Sequence, residues 1–166
     1  MPNPSTNQPK MSGMSNRIFV DSSILVEYSK NTKTELLEYL ISHISDFELC
    51  ISETVLSEYT FHFLAKCGDK SPLTLKRDVA IPNILSQNRQ VETLLGFFKI
   101  VSGNKDLFPL YLRLMQQYNL LPNDALILAT CLNNGIKTIA SFDTDFKEAC
   151  QNEGILLISD MAQIEI

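Results

Sequence analysis

The sequence predicts an α/β domain in which a parallel β-sheet is flanked by helices on both faces, in three layers. One observation is length, because 166 residues are typical of a single domain and long enough to bury a hydrophobic core. Another is a repeated unit, since NNGIKTIAS and QNEGILLIS each join a helix end, a glycine and a short apolar strand. Helices that alternate with buried strands indicate parallel strands joined by crossover helices.

The composition is typical of a soluble globular protein, with 45% hydrophobic and 20% charged residues. No apolar run approaches the roughly 20 residues of a membrane helix, and we expect no secretory signal. The four cysteines form no CxxC pair, which predicts reduced, mostly buried thiols in a cytoplasmic protein. The net charge of -5 argues against a broad basic surface that binds nucleic acid irrespective of sequence.

The first element follows an N-terminal segment, residues 1–16, whose Pro, Ser, Asn and Gly content predicts a disordered tail. RIFV, residues 17–20, then predicts a strand that ends at Asp21, and an apolar helix begins just after it. This places Asp21 at the carboxyl end of a strand, where open α/β sheets bind their ligands. An equally open interpretation of this segment alone is that Asp21 or Ser22 merely caps the helix.

The next three elements bring a glutamate toward the same edge. Residues 34–44 predict an amphipathic helix, FELCI at residues 47–51 predicts a strand, and Ser52 is a good N-cap for the following helix. In that helix Glu58 flanks the apolar face, as an ion-pair partner at the rim or as a member of a carboxylate cluster. Glu53 competes for the second role, but its place in the first turn is explained by the helix dipole.

The stretch from about residue 67 to residue 118 has a weaker pattern, and we interpret it as a helical insertion or cap region. Within it, residues 91–101 and 109–118 predict amphipathic helices. Paired helices on an α/β core often form a cap or a dimer surface, although core packing is the simpler interpretation. The densest positive charges of this region are the first candidates for phosphate contacts: Lys66, Lys70, Lys76, Arg77 and Arg89.

Residues 120–146, LLPNDALILATCLNNGIKTIASFDTDF, contribute further carboxylates. Asp124 falls in the first turn of a predicted helix, where the helix dipole favours a negative charge. Residues 136–140 predict a short buried strand, and Asp143 and Asp145 follow at its carboxyl end.

Carboxylates from four separate elements are thus expected at one edge of the sheet: Asp21, Glu58, Asp124 and Asp143. Without a counter-charge they would repel one another, and a divalent cation resolves that repulsion. An all-oxygen site suits Mg²⁺ or Mn²⁺ better than zinc, and two histidines are too few for a histidine-rich site. The pattern predicts metal-assisted phosphodiester hydrolysis. Asp160 also follows a predicted strand, but one expected at the side of the sheet, and is left out of the set.

Other phosphate chemistries fit less well. The chain has neither a G-x-x-x-x-G-K-[ST] loop nor a G-x-G-x-x-G loop. The first acidic motif is Asp-Ser-Ser rather than Asp-x-Asp, which weakens the case for a phosphatase with an aspartyl nucleophile. Ser22 and Ser23 have no histidine at a suggestive position, which argues against a serine nucleophile.

Four motifs, VDSSILVEY, ISETVLSEY, LLPNDALILATCLNNGI and IASFDTDF, resemble in their order the motifs of the PIN-domain family, and most closely those of its VapC-type toxin ribonucleases. The resemblance covers roughly residues 17–158. It implies that Asp145 assists the metal site or binds a second ion, and that Ser23 and Ser141 are small hydroxyl residues near the metal. It also implies one set of catalytic Mg²⁺ or Mn²⁺ ligands: Asp21, Glu58, Asp124 and Asp143.

The family resemblance further implies an endoribonuclease that cleaves RNA, frequent homodimers, and an antitoxin partner as in type II toxin-antitoxin pairs. The segment of residues 67–107 looks longer than in compact toxins, so it departs from the family where substrate and partner surfaces lie. Two alternatives stay open: a catalytically silent PIN-like module that binds RNA or protein, and a DNA- or structure-specific nuclease. The complete acidic set argues against the first, and the acidic composition argues against the second.

Overall fold

Five parallel strands form one sheet in the computed structural model, which describes residues 16–164. In chain order they are β1 (Arg17–Val20), β2 (Glu48–Ile51), β3 (Lys99–Ile100), β4 (Thr138–Ala140) and β5 (Leu156–Ile158). They lie side by side as β3-β2-β1-β4-β5, so β1 is central. The predicted parallel sheet is confirmed, and residues 1–15 of the expected N-terminal tail lie outside the described range.

Helices flank this sheet and give the predicted three-layer arrangement. In chain order they are α1 (Ser22–Ser29), α2 (Glu35–Ser42), α3 (Glu53–Gly68), α4 (Pro72–Arg77), α5 (Ile81–Gln87), α6 (Gln90–Leu95), α7 (Leu107–Tyr118), α8 (Pro122–Asn133) and α9 (Phe146–Glu153). A short 3-10 helix (Met161–Gln163) follows β5. None of the helices between residues 16 and 164 combines the length and the apolar character that crossing a membrane requires.

The central strand and α8 supply the rigid part of the core. Ile18, Phe19 and Val20 of β1 are fully buried, because helices cover both faces of a parallel sheet. In α8, Ile127 and Leu128 are also fully buried. Each such side chain contributes roughly 1.5–3 kcal/mol through the removal of apolar surface from water. The carboxyl end of β1 and the start of α8, where two of the predicted site residues lie, are therefore firmly anchored.

One predicted helix is wrong in its second half. The pattern of residues 91–101 predicts a helix throughout, but α6 ends at Leu95, and Lys99 and Ile100 form the edge strand β3. Gly96, a poor helix former, follows α6 as its C-cap. The N–H of Val101 donates to the carbonyl of Ile51 at 2.9 Å, so the β-branched end of the segment pairs with β2. A contact with a strand 50 residues away overrides the local helical pattern.

The cysteines behave largely as the sequence predicts. All four are free thiols; three are buried and Cys67 is exposed. Burial raises the pKa of the Cys150 thiol to about 12, which leaves it protonated and unreactive at neutral pH.

Candidate active site

Neighbouring strand ends bring the first two site segments together. β1 and β4 are paired through Val20 and Ala140, and the N–H of Asp21 donates to the carbonyl of Ala140 at 2.9 Å. Asp21 and Ser141 are the next residues of the two strands, so their side chains meet at the carboxyl edge of the sheet. The helices α3 and α8 bring Glu58 and Asp124 to the same edge.

Asp21 lies in a closed pocket of hydroxyl groups. Asp21 is only 3% exposed, and its carboxylate accepts hydrogen bonds from the hydroxyls of Ser23 at 2.6 Å and Ser141 at 2.7 Å. It also accepts from the Ser23 N–H at 3.3 Å, and so it is the N-cap of α1. Burial raises the pKa of Asp21, and the serine hydrogen bonds oppose that rise. The capping interpretation of Asp21 is thus confirmed, and Asp21 also lies at the predicted carboxyl edge of the sheet, in contact with Ser141.

The same two serines position the loop that follows β4. The Ser23 hydroxyl accepts from the Phe142 N–H at 3.0 Å, and the Ser141 hydroxyl accepts from the Asp143 N–H at 3.0 Å. The Asp143 carboxylate in turn accepts from the Asp145 N–H at 2.9 Å. A continuous set of hydrogen bonds therefore runs from the buried Asp21 to the exposed end of the loop.

Asp124, Asp143 and Asp145 form the closest group of carboxylates. One oxygen from each of the three lies within 4.8 Å of the other two. Burial raises the pKa of Asp124 to about 6, and the negative charges of Asp143 and Asp21 add to this rise. Asp124 also lies in the first turn of α8, as predicted.

Glu58 stands beside this group, with both oxygens engaged by hydrogen bonds. Ser22 donates its hydroxyl to Oε2 at 2.8 Å, and Asn123 donates its amide to Oε1 at 2.6 Å. The Ser22 hydroxyl also lies 3.5 Å from Asp21 Oδ1, so it bridges two members of the acidic set. Sequence reasoning missed this role of Ser22 and Asn123. The one available signal is that Asn123 directly precedes Asp124 in the first turn of a helix.

Three of the basic residues predicted as candidates for phosphate contacts lie apart from Glu58 or pair with other carboxylates. Lys66 follows Glu58 by eight residues on the same helix, which separates their backbones by about 12 Å. Lys70 pairs with Asp78 at 2.9 Å, and Arg89 pairs with Glu92 at 3.2 Å, both at the surface. Asp160, left out of the set, caps the 3-10 helix and accepts from the Ala162 N–H at 3.0 Å.

The arrangement fits a hard divalent cation. Three carboxylate oxygens converge, and burial and acidic neighbours destabilise the charged form of one of these residues, Asp124. Such a group is stabilised by a cation, and oxygen ligands of this kind suit Mg²⁺ or Mn²⁺. Asp124, Asp143 and Asp145 would therefore hold such an ion, which would supply Lewis-acid chemistry at this edge of the sheet.

Known proteins share both the sequence pattern and the fold. Residues 18–152 match the family described as PIN domain. Ribonuclease VapC2 of Methanocaldococcus jannaschii is 35% identical over 134 residues, which cover 80% of this chain and 88% of that protein.

Two solved structures show the same fold. VapBC2 from Rickettsia felis, bound to a DNA fragment from its promoter, has a TM-score of 0.59 at 16% identity and covers 85% of this chain and 96% of its own. A toxin-antitoxin complex from Klebsiella pneumoniae has a TM-score of 0.52 at 19% identity and covers 78% of this chain and 89% of its own.

Proposed function

Because the chain belongs to the PIN-domain family, we propose that it is a metal-dependent endoribonuclease that hydrolyses RNA phosphodiester bonds and acts as the toxin of a type II toxin-antitoxin pair. The observation that carries the proposal is the convergence of Asp124, Asp143 and Asp145 at the carboxyl edge of the sheet. The likeness to Ribonuclease VapC2 over most of both chains supports the assignment to RNA.

We propose Mg²⁺ or Mn²⁺ as the cofactor, since the candidate ligands are all carboxylates. When bound, the ion would lower the pKa of a coordinated water and stabilise the charge that develops on the phosphate oxygens. The buried Asp21 would contribute from one side, while its serine partners keep the loop after β4 in place. The proposed ligands and catalytic residues are Asp21, Glu58, Asp124 and Asp143, with Asp145 as a further metal ligand.

We propose that the partners are an RNA substrate, an antitoxin and a second copy of the chain, and that the protein acts in the cytoplasm. The solved toxin-antitoxin complex from Klebsiella pneumoniae supports an antitoxin through its shared fold. We also propose that residues 67–118 are a helical cap region of a nuclease domain of residues 17–166, since α4 to α7 lie in this segment, although its short strand β3 joins the sheet.

The test is RNA cleavage by the full chain in Mg²⁺ or Mn²⁺, and in EDTA, with tRNA, rRNA and messenger transcripts as substrates. Asp124→Asn removes a charge from the carboxylate group, and we expect about a 10²–10³-fold loss of cleavage. Asp106→Asn is the matched control. Asp106 directly precedes α7, as Asp124 lies in the first turn of α8, and the Asp106 side chain makes no capping hydrogen bond.

The outcomes separate the proposal from its alternatives. Metal-dependent cleavage that Asp124→Asn abolishes and Asp106→Asn retains would support the nuclease assignment. Cleavage that persists in a folded Asp124→Asn variant would point to a different site or a contaminant. A folded wild-type chain that neither cuts RNA nor gains thermal stability from metal would be a silent binding module.

A further inference from the structure

A second depression lies beside the acidic group, at the carboxyl ends of β4 and β5. Its volume is about 470 Å³, within the range of roughly 300–1,000 Å³ that sites for small molecules occupy. The side chains that line it include one cation, two carboxylates and three apolar groups: Lys33, Glu35, Asp160, Leu36, Phe142 and Met161.

Phe142 connects this cavity to the acidic group. It lies between Ser141 and Asp143 in the chain, and its N–H donates to the hydroxyl of Ser23 at 3.0 Å. The backbone of Phe142 is thereby fixed to the serine that also donates to Asp21. A polymer whose backbone reaches Asp143 would therefore place an adjoining unit at the cavity.

Lys33 places a positive charge at the same point. Its Nζ lies 5.0 Å from the centroid of the Phe142 ring, which is within the range of a cation–π contact. It forms no ion pair with a carboxylate of residues 16–164, whereas Lys30 in the same loop pairs with Glu27 at 3.1 Å. Lys33 also has a φ of 44°, so the loop holds it in a backbone conformation that side-chain-bearing residues rarely adopt. The Lys33 charge is therefore positioned without a direct ion pair, although it also helps to lower the pKa of Glu27.

We propose that this cavity binds the nucleotide next to the scissile phosphate of an RNA strand, with Lys33 contacting the phosphate of that nucleotide and Phe142 packing against its base. The inference rests on the proposed ribonuclease function, and it names where the substrate strand lies. The subsite joins a cation for the phosphate to an aromatic ring and apolar side chains for the base.

The lining offers partners for both parts of a nucleotide. An ionised carboxylate only accepts hydrogen bonds, so Glu35 and Asp160 would repel a phosphate that faced them, and the phosphate is assigned to Lys33. The same carboxylates can accept from the amino and imino groups of a base. Stacking on an aromatic side chain is open to every base, because each has a π face.

The experiment measures KM and kcat for cleavage of a single-stranded RNA by the full chain in Mn²⁺ at several salt concentrations. Lys33→Gln removes the charge and keeps a polar side chain that is one atom shorter, and Lys33→Arg restores the charge. Phe142→Leu removes the ring, and Phe142→Tyr restores it. Lys99→Gln is the control for net charge, since Lys99 lies on β3, at the opposite side of the sheet from β5, where it pairs with Glu48 at 2.9 Å.

We expect Lys33→Gln to raise KM about fivefold at low salt, with kcat nearly unchanged. The slope of log KM against log salt should decrease by about 0.7, the value for one contact with a single-strand phosphate. Phe142→Leu should raise KM about tenfold, since loss of a stacked ring weakens binding of a base. The Arg and Tyr variants should recover most of the wild-type KM, and Lys99→Gln should retain it.

Unchanged KM and salt slope in folded Lys33→Gln and Phe142→Leu variants of an active enzyme would overturn the subsite and leave the ribonuclease function intact. An equal effect of Lys99→Gln would also overturn the subsite, because the Lys33 charge would then act only through the net charge of the protein. If the wild-type chain cuts no RNA, the ribonuclease function fails instead. The same variants, compared by fluorescence anisotropy for their Kd toward labelled RNA, then decide whether the cavity binds a nucleotide.

Discussion

Asp21 and Asp124 lie at the same edge of the sheet, yet the protein gives the two carboxylates opposite surroundings. Asp21 is 3% exposed and accepts hydrogen bonds from the hydroxyls of Ser23 and Ser141. Asp124 is partly buried beside Asp143, and no hydrogen bond reaches its carboxylate from residues 16–164. Burial raises the pKa of both groups, but hydrogen bonds act against that rise only at Asp21.

The difference separates a folding role from a binding role. The hydroxyl pocket satisfies Asp21 without any ligand, and it also holds the loop that carries Asp143. The region around Asp124 concentrates negative charge that the protein itself does not neutralise. Ion binding should therefore relieve mainly the charge around Asp124, whereas Asp21, itself a proposed ligand, is already held in place by its serine partners. Each prediction below tests that division.

Adding metal should produce the largest change. At a Mn²⁺ concentration about 100 times its Kd, linkage predicts roughly 2.7 kcal/mol of added stability, or a rise in Tm of about 5–10 °C for a chain of this size. Asp124→Asn should lose most of this rise, and Asp106→Asn should keep it. Thermal unfolding with and without Mn²⁺ at pH 8 measures the effect. An equal rise in both variants would show that the ion binds elsewhere.

Removing a donor from the Asp21 pocket should act on folding instead. Ser141→Ala deletes the hydroxyl that donates to Asp21 and accepts from the Asp143 N–H, and Ser141 is fully buried. We expect a loss of about 2 kcal/mol in the free energy of unfolding, the usual cost of a buried hydrogen bond to a charged group. Denaturant titration without metal measures it.

The exposed Ser45 is the matched serine, since its hydroxyl lies 3.5 Å from the Asp46 carboxylate, and Ser45→Ala should change stability by less than about 0.5 kcal/mol. If the two alanine variants unfold alike, the hydroxyl pocket has no special stabilising role.

The two regions also differ in how far sequence could predict them. Asp21 and Asp143 follow apolar strands directly, so the rule for strand ends in α/β sheets places them together. The position of Asp124 follows from the predicted start of α8. The pairing of Lys99 and Ile100 with β2 could not be predicted, because the local pattern is helical and their partner residues lie 49 positions earlier.

Contacts between distant side chains explain the other omissions. Asn123 donates to Glu58 across a separation of 65 residues. Lys33 contacts the Phe142 ring from the loop between α1 and α2, which is far from Phe142 in sequence. No periodicity or spacing encodes such contacts. They depend on how loops of the folded chain approach one another.

Lowering the pH should remove the destabilisation that the charged Asp124 carboxylate causes in the metal-free protein. Its pKa rises from 3.8 to about 6 on folding, so the folded state binds the proton more tightly than the unfolded state. Stability therefore falls as pH increases from about 4 to about 6, and the full penalty remains above that window. Asp124→Asn removes the penalty, and we expect a gain of about 1 kcal/mol at pH 8, after allowance for solvent screening, and almost none at pH 4. Urea unfolding in EDTA at the two pH values measures it, and a variant that is less stable at pH 8 would contradict the repulsion.

The smallest expected effect concerns Glu58, which lies between the two regions. Its Oε1 accepts from the Asn123 amide at 2.6 Å, and its Oε2 accepts from the Ser22 hydroxyl. If Glu58 must release Asn123 to reach an ion, Asn123→Ala removes a hydrogen bond that would otherwise break. A bond worth about 0.5–1 kcal/mol then gives roughly a two- to fivefold decrease in the Kd for Mn²⁺, measurable by calorimetry. In a Glu58→Gln background the Asn123→Ala change should have no further effect on that Kd. An increase in the Kd would mean instead that Asn123 orients Glu58 toward the ion, which would place the glutamate with Asp21, among the residues that the fold itself holds in position.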